Sequence, residues 1–385
     1  MRKIVLIALF ALLLTLSLSG AVLAEEATPA FCGTLSQADC AILQNAQAKM
    51  KMLDSASFDL QINATVTNVP GESEPVAFSL SGNGSASGLQ ATGTDVTLAQ
   101  TDPGQYLVNI LDNADLDLNF TLNLPLAVTA EDPTIPSSIT LQMRLVDGIG
   151  YLNTDTLRSL MGASGASGAS PTGWYGLDLA NFFKAAMQQM PELFSAMNSG
   201  MNTAQYVQDF ESPDFLNRIA KIERTDDGSG SVASFQVTIN MGAMMSSPDF
   251  QAMIRQEMQS QNPSMTEQEL EQGVAMSSQM LKGMTVVITE DVGTDDGYIH
   301  DVKGTFNFDS TGMMAVLDST QTGVGRSTST TTPNPTVEVD FTLTYSNFDS
   351  APTISAPTNP TIIPYQSLLG MMSGETGGGL PSTSQ

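Results

Sequence analysis

The chain has 385 residues, 40 of them acidic and 14 basic, giving a formal charge of −26, yet only 14% of its residues are charged. An excess of negative charge on this scale repels phosphate backbones and anionic headgroups, so nucleic acid is not an expected partner. With 41% apolar residues the chain can bury a large core, while one histidine and two cysteines leave little for chemistry that depends on those side chains.

Arg2 and Lys3 precede an apolar run from Ile4 to about Leu18, and Val22-Leu23-Ala24 then meets Glu25. This is the layout of a secretory signal peptide over residues 1–24, with cleavage after Ala24 and an exported product, secreted, periplasmic or at the cell surface. Nothing later is long and apolar enough to span a bilayer. Cys32 follows Pro29-Ala30-Phe31, which is no lipid-attachment sequence, so no lipid anchor is expected. In an oxidising compartment Cys32 and Cys40 are expected to pair, and the short loop they close would contribute about 2.5 kcal/mol. Two free thiols are the alternative.

Ser36 and Asp39 form a capping-box-like start to a helix from about Gln37 to Ser55, with Ile42, Ala46, Met50 and Met52-Leu53 as its apolar stripe. From Phe58 the period changes to two: Phe58, Leu60, Ile62, Ala64 and Val66 face one way, and Asp59, Gln61, Asn63 and Thr65 the other. The same alternation returns at Val76 to Leu80, Leu116 to Leu126, Ile139 to Leu145, Ala233 to Ile239 and Val337 to Tyr345. It marks antiparallel strands with one face in a core and one in water. Asn83-Gly84, Asp147-Gly148, Asp227-Gly228, Asp296-Gly297 and Asp309-Ser310-Thr311-Gly312 read as turns. Helices are expected at Asp155 to Met161, Leu179 to Phe194, Tyr206 to Ile219, Pro248 to Gln259 and Thr266 to Leu281. The threefold Gly-Ala-Ser run from Gly162 and the Ser/Thr/Pro-rich Arg326 to Pro335 read as surface loops. These elements predict an α+β fold: one domain over residues 25–357 built on a large curved antiparallel sheet. A Pro- and Gly-rich tail over 358–385 is expected to be disordered.

Candidate chemistry is sparse. In a regular strand from Tyr298 to Phe308, His300 would share an apolar face with Tyr298, Val302, Phe306 and Phe308, and no nucleophile motif accompanies it. Asp115 with Asp117, and Asp226 with Asp227, are carboxylate pairs on a polar strand face or in a turn, where solvated acids belong. None of the Asp-Gly turns continues as a calcium loop. The 22 methionines include helically spaced groups at Met187 and Met190, Met241 with Met244 and Met245, and Met276 with Met280. Helix packing, a pliable ligand mouth and Cu(I) binding all remain open for them.

Four segments carry a family likeness. Asp54-Ser55-Ala56-Ser57-Phe58 joins the first helix to a long strand. Val146-Asp147-Gly148-Ile149-Gly150-Tyr151-Leu152 and Gly173-Trp174-Tyr175-Gly176-Leu177-Asp178 follow. The close is Val339-Asp340-Phe341-Thr342-Leu343-Thr344-Tyr345-Ser346-Asn347-Phe348 with Ile354-Ser355-Ala356-Pro357. In this order, over most of residues 41 to 357, the chain resembles the LolA-like lipoprotein-carrier superfamily, in particular its LprG and LppX branch of exported lipid-binding proteins. It departs from that branch in lacking the lipobox cysteine, in its Met-rich helices and in its Gly-Ala-Ser loop. The resemblance implies a half-barrel with helices on its concave face, enclosing an apolar cavity for acyl chains. The expected function is then a non-enzymatic carrier or binder of an apolar ligand, with no cofactor. Its lining would be Phe58, Leu60, Ile62, Leu118, Phe120, Leu141, Met143, Phe235, Val237, Phe341 and Leu343. The alternative is an envelope scaffold with a solid core that binds a protein partner.

Overall fold

The structure is a computed structural model, and it describes residues 31–68, 74–90, 103–125, 136–155, 172–189, 213–262, 264–281, 284–309 and 335–372. Several sequence expectations lie outside these: the signal segment 1–24, nearly all of the helix at Asp155 to Met161, the first part of that at Tyr206 to Ile219, both low-complexity loops and the turn after Asp309.

Twelve strands form one open sheet. The first half of the chain supplies β1 (Ala56–Thr67), β2 (Val76–Ser87), β3 (Asp115–Asn123), β4 (Ser138–Val146), β5 (Ile149–Asn153) and β6 (Trp174–Asp178). The second supplies β7 (Ala220–Arg224), β8 (Val232–Asn240), β9 (Met284–Gly293), β10 (Ile299–Asp309), β11 (Thr336–Ser346) and β12 (Thr361–Ile363). Each half is a meander of neighbouring strands, and the two join where β1 pairs with β11, Ser57 opposite Ser346 and Thr67 opposite Thr336. All pairings are antiparallel except that of β12 with β6. The sheet is curved and not closed into a barrel.

Among the described residues eight helices accompany it: α1 (Gln37–Lys51), α2 (Pro103–Asn113), α3 (Leu179–Gln189), α4 (Pro213–Ile219), α5 (Met241–Met245), α6 (Pro248–Gln261), α7 (Glu267–Leu281) and α8 (Tyr365–Met372). None in the described residues is long and apolar enough to cross a membrane. At the start of α1 the Ser36 hydroxyl accepts from the Asp39 backbone N–H and donates to the Asp39 carboxylate at 2.6 Å, so one residue pair supplies an otherwise unpaired helix donor with a partner. Leu43, Ala46 and Met50 of α1, with Leu53 just beyond it, are buried against Leu60, Ile62, Val292, Ile299, Val302 and Val339 of the sheet. A fully buried aliphatic side chain of this kind contributes about 1.5–3 kcal/mol, so this face of α1 anchors the main core. Leu111, Leu145 and Ala180 make a second, smaller core where α2 and α3 meet the ends of β3 and β4.

The structure departs from the sequence expectations at three places. Asn83-Gly84 is not a turn: both residues lie inside β2, opposite Asn119 and Leu118. The glycines serve packing there, since a Cβ added at Gly84 would stand 2.7 Å from the Phe58 ring and one at Gly82 closer still to Phe120. The expected turn at Asp147-Gly148, by contrast, is formed, with both residues at positive φ (51° and 77°), and joins β4 to β5. Second, the region after Pro357 is not all tail. Past β11 the chain crosses the polar side of the sheet, where Ile354 is buried with Val146 and Tyr151 beside Trp174, and Arg144 donates to the Ser355 carbonyl at 3.1 Å. It then adds β12 beside β6 and ends in α8. Third, α2 had no counterpart in the sequence reading.

Candidate functional site

Strand register places all eleven candidate lining residues on one face. Leu141, Phe120, Gly82, Leu60, Leu343, Val302, Glu290 and Phe235 succeed one another as cross-strand partners from β4 to β8. Ile62, Phe341 and Val237 belong to the next row on the same face, and Met143, Leu118 and Phe58 to the row on the other side. The opposite face carries Asp59, Asn83, Asn119 and Gln142.

The eleven do not share one environment. Leu60, Ile62, Phe235 and Leu343 are buried, and Phe58, Phe120, Val237 and Phe341 pack half-buried against the same core. Leu118, Leu141 and Met143 are half-buried and belong to none of the buried clusters. Leu60, Ile62 and Leu343 pack with the inner side of α1. Only Phe235 and Val237 line the cavity that opens on this face.

That cavity measures about 180 Å³, a little above the roughly 150 Å³ that admits a benzene ring. Its floor is Ile222, Phe235, Val237 and Ile239 of β7 and β8; Leu43 and Gln47 of α1 form one wall, Leu216 and Ile219 of α4 another, and Phe31 closes a side. Among the described residues that line it, Glu290 is the one ionisable group. In β9 the inward positions Met284, Val286, Ile288 and Val292 are apolar, and Glu290 takes the remaining one, between Phe235 and Val302. Its Oε2 is enclosed with no hydrogen-bond partner among the described residues. Burial pushes its carboxyl up from the usual range, against the opposing effect of a hydrogen bond from Gln47. Burial, and secondarily the charge of Glu290, also push the Tyr345 phenol up to about 12. Glu290, Gln47 and the α4 residues escaped the sequence reading; a carboxyl at an inward parity of an alternating strand was the signal.

Arg224 at the end of β7, cross-strand from Phe235, ties this strand to α1. It donates from Nη1 to Asp39 of α1 and from Nε and Nη2 to Asp226, each at 2.8 Å. Asp226 also accepts from the backbone N–H groups of Gly228 and Ser234. The Arg224 guanidinium holds the Asp226 carboxyl well below the usual range; for Asp39 the Ser36 hydroxyl acts first and Arg224 second.

The other carboxylates and the histidine have local structural partners. Asp115 accepts from the Asp147 N–H in the β4–β5 turn, Asp117 pairs with Arg144 at 3.2 Å, and Asp227 accepts from Ser229. His300 does not share the apolar face. A register shift between Ile299 and Asp301 turns Ile299 inward, opposite Val292, and leaves the His300 Nε2 2.8 Å from Asp296, with its ring edge-on to Phe348. Among the methionines, Met245 is buried and Met258 of α6 lies against Gly273 of α7, which is helix packing at those positions.

No protein-family model matches the chain, and no curated protein matches it either. The likeness to the LolA-like superfamily rests on the sequence segments alone.

Proposed function

We propose that the chain is an exported, non-enzymatic carrier or binder of an apolar ligand, held between the apolar face of its sheet and helices α1 and α4. The observation that carries this reading is the cavity of about 180 Å³ floored by Phe235 and Val237, on a face that is apolar from β4 to β8 save for Glu290. Space of that size takes one ring or the end of one acyl chain, so a whole lipid would be held by its end and not enclosed. The half-buried Leu118, Leu141 and Met143 offer further apolar surface on the same face.

The test is Val237→Trp. A ring placed in ligand space should abolish binding of a fluorescent fatty-acid probe while thermal melting stays unchanged. A melt lowered by the 1–3 kcal/mol that overpacking costs, together with a wild type that binds no probe, overturns the reading.

A further inference from the structure

An apolar ligand alone does not account for Glu290. Its neighbours two residues away on the same face are Ile288 and Val292, and its cross-strand partners are Phe235 and Val302, so packing would be served there by another aliphatic side chain. The position instead holds a carboxyl whose Oε2 is enclosed and unpartnered and whose known hydrogen bond is the one from Gln47. Removing a carboxyl from water without a partner is costly, and the described cavity wall contributes no cation: apart from Gln47 and Glu290 its residues are apolar. The group missing from this arrangement is a hydrogen-bond donor carrying positive charge, delivered into an apolar space the size of a ring.

We propose that the cavity takes a small amphiphilic amine, an apolar body of about one ring with a protonated primary amino group seated on the Glu290 carboxylate. Gln47 orients the seat. Its amide N–H holds one side of the carboxyl, and its amide oxygen is a second acceptor for the ammonium. A carboxylate head is rejected by like charge, and a hydroxyl supplies one donor without charge. The proposal rests on the cavity being a ligand site, and the test separates the two.

Three probes share a body and differ in head: benzylamine, benzyl alcohol and benzoate, titrated calorimetrically into the full chain and its Glu290→Gln variant. The wild type should bind benzylamine at least tenfold more tightly than benzyl alcohol, and benzoate most weakly. In Glu290→Gln the benzylamine affinity should fall at least tenfold while that for benzyl alcohol stays within about threefold. Val237→Trp should abolish all three, and it serves as the second variant if Glu290→Gln does not fold. Binding of benzyl alcohol without an amine preference, or a preference that survives Glu290→Gln, overturns the assignment of Glu290 and leaves the apolar pocket standing. Failure of every probe, the fatty-acid probe included, to bind the wild type removes the pocket and this inference with it.

Discussion

Replacing Glu290 by glutamine should stabilise the free protein, and the gain should depend on pH. Glutamine preserves the shape and a hydrogen bond with Gln47 but has no charged form. The folded-state pKa of Glu290 is raised by burial above an unfolded value of about 4.3, so the folded chain keeps a proton that the unfolded chain releases. Stability from this group is therefore fully present below pH about 4.3 and is lost as pH rises through the folded pKa. Glu290 is half-buried with one oxygen enclosed, and leaving such an oxygen unsatisfied costs about 1–3 kcal/mol. Glu290→Gln should thus match the wild type near pH 4 and exceed it by about 1–3 kcal/mol near pH 8. At about 2–4 °C per kcal/mol for chains of 150–250 residues, that is a rise in Tm of several degrees. Melting both proteins from pH 4 to 9 and taking the difference cancels every other titrating group. The Tyr345 phenol, held up to about 12 by burial first and by Glu290 second, should titrate slightly lower in the variant when followed by ultraviolet absorbance. A variant that matches the wild type near pH 4 but is less stable than it near pH 8 would show that the carboxylate has a partner inside the free protein, and the reasoning would fail.

Two further outcomes follow from packing and charge. Gly84→Val places methyl groups where the Phe58 ring lies; it should cost about 1–3 kcal/mol in urea unfolding, against a near-neutral Asn83→Thr on the polar face. Arg224→Gln removes the clamp between Asp39 and Asp226 and should cost about 1–2 kcal/mol at neutral pH. Both carboxyls are held below an unfolded value of about 3.9, so their contribution is present above it and lost as pH falls. The deficit of Arg224→Gln, read by urea titration, should accordingly shrink toward pH 2.

The strands were legible because a two-residue period over nine to twelve residues has one structural solution. Phe58 to Val66 and Val337 to Tyr345 each present their apolar parity to the same core. Where the reading went astray, a distant partner decided. Asn-Gly is a strong hairpin signal, yet Gly82 and Gly84 answer to rings on β3 and β1. Thr361–Ile363 is too short to signal a strand, and its partner β6 lies far back in the chain. One extra residue at the Ile299/Asp301 shift reversed the parity of His300. Helix α2, by contrast, did leave a local trace: Pro103 at its first position and Leu107, Val108 and Leu111 as a stripe. The candidate site was half legible. Phe235 and Val237 stood out by alternation, whereas the walls from α1 and α4, and Glu290 between them, depend on how helices lie across the sheet.

The seam between β1 and β11 has a kinetic consequence. Each meander on either side grows from neighbouring strands, but the seam joins residue 57 to residue 346, and closing a loop of that length costs roughly 5 kcal/mol by the logarithmic law before any contact repays it. The two halves are therefore expected to order separately and to zip together last, which places this protein among slow folders of high contact order. Until they do, two long strands, β1 and β11, face solvent with unpaired backbone groups. The middle of the finished sheet, rather than its short outer strands β7 and β12, is thus where two incompletely folded copies would exchange halves.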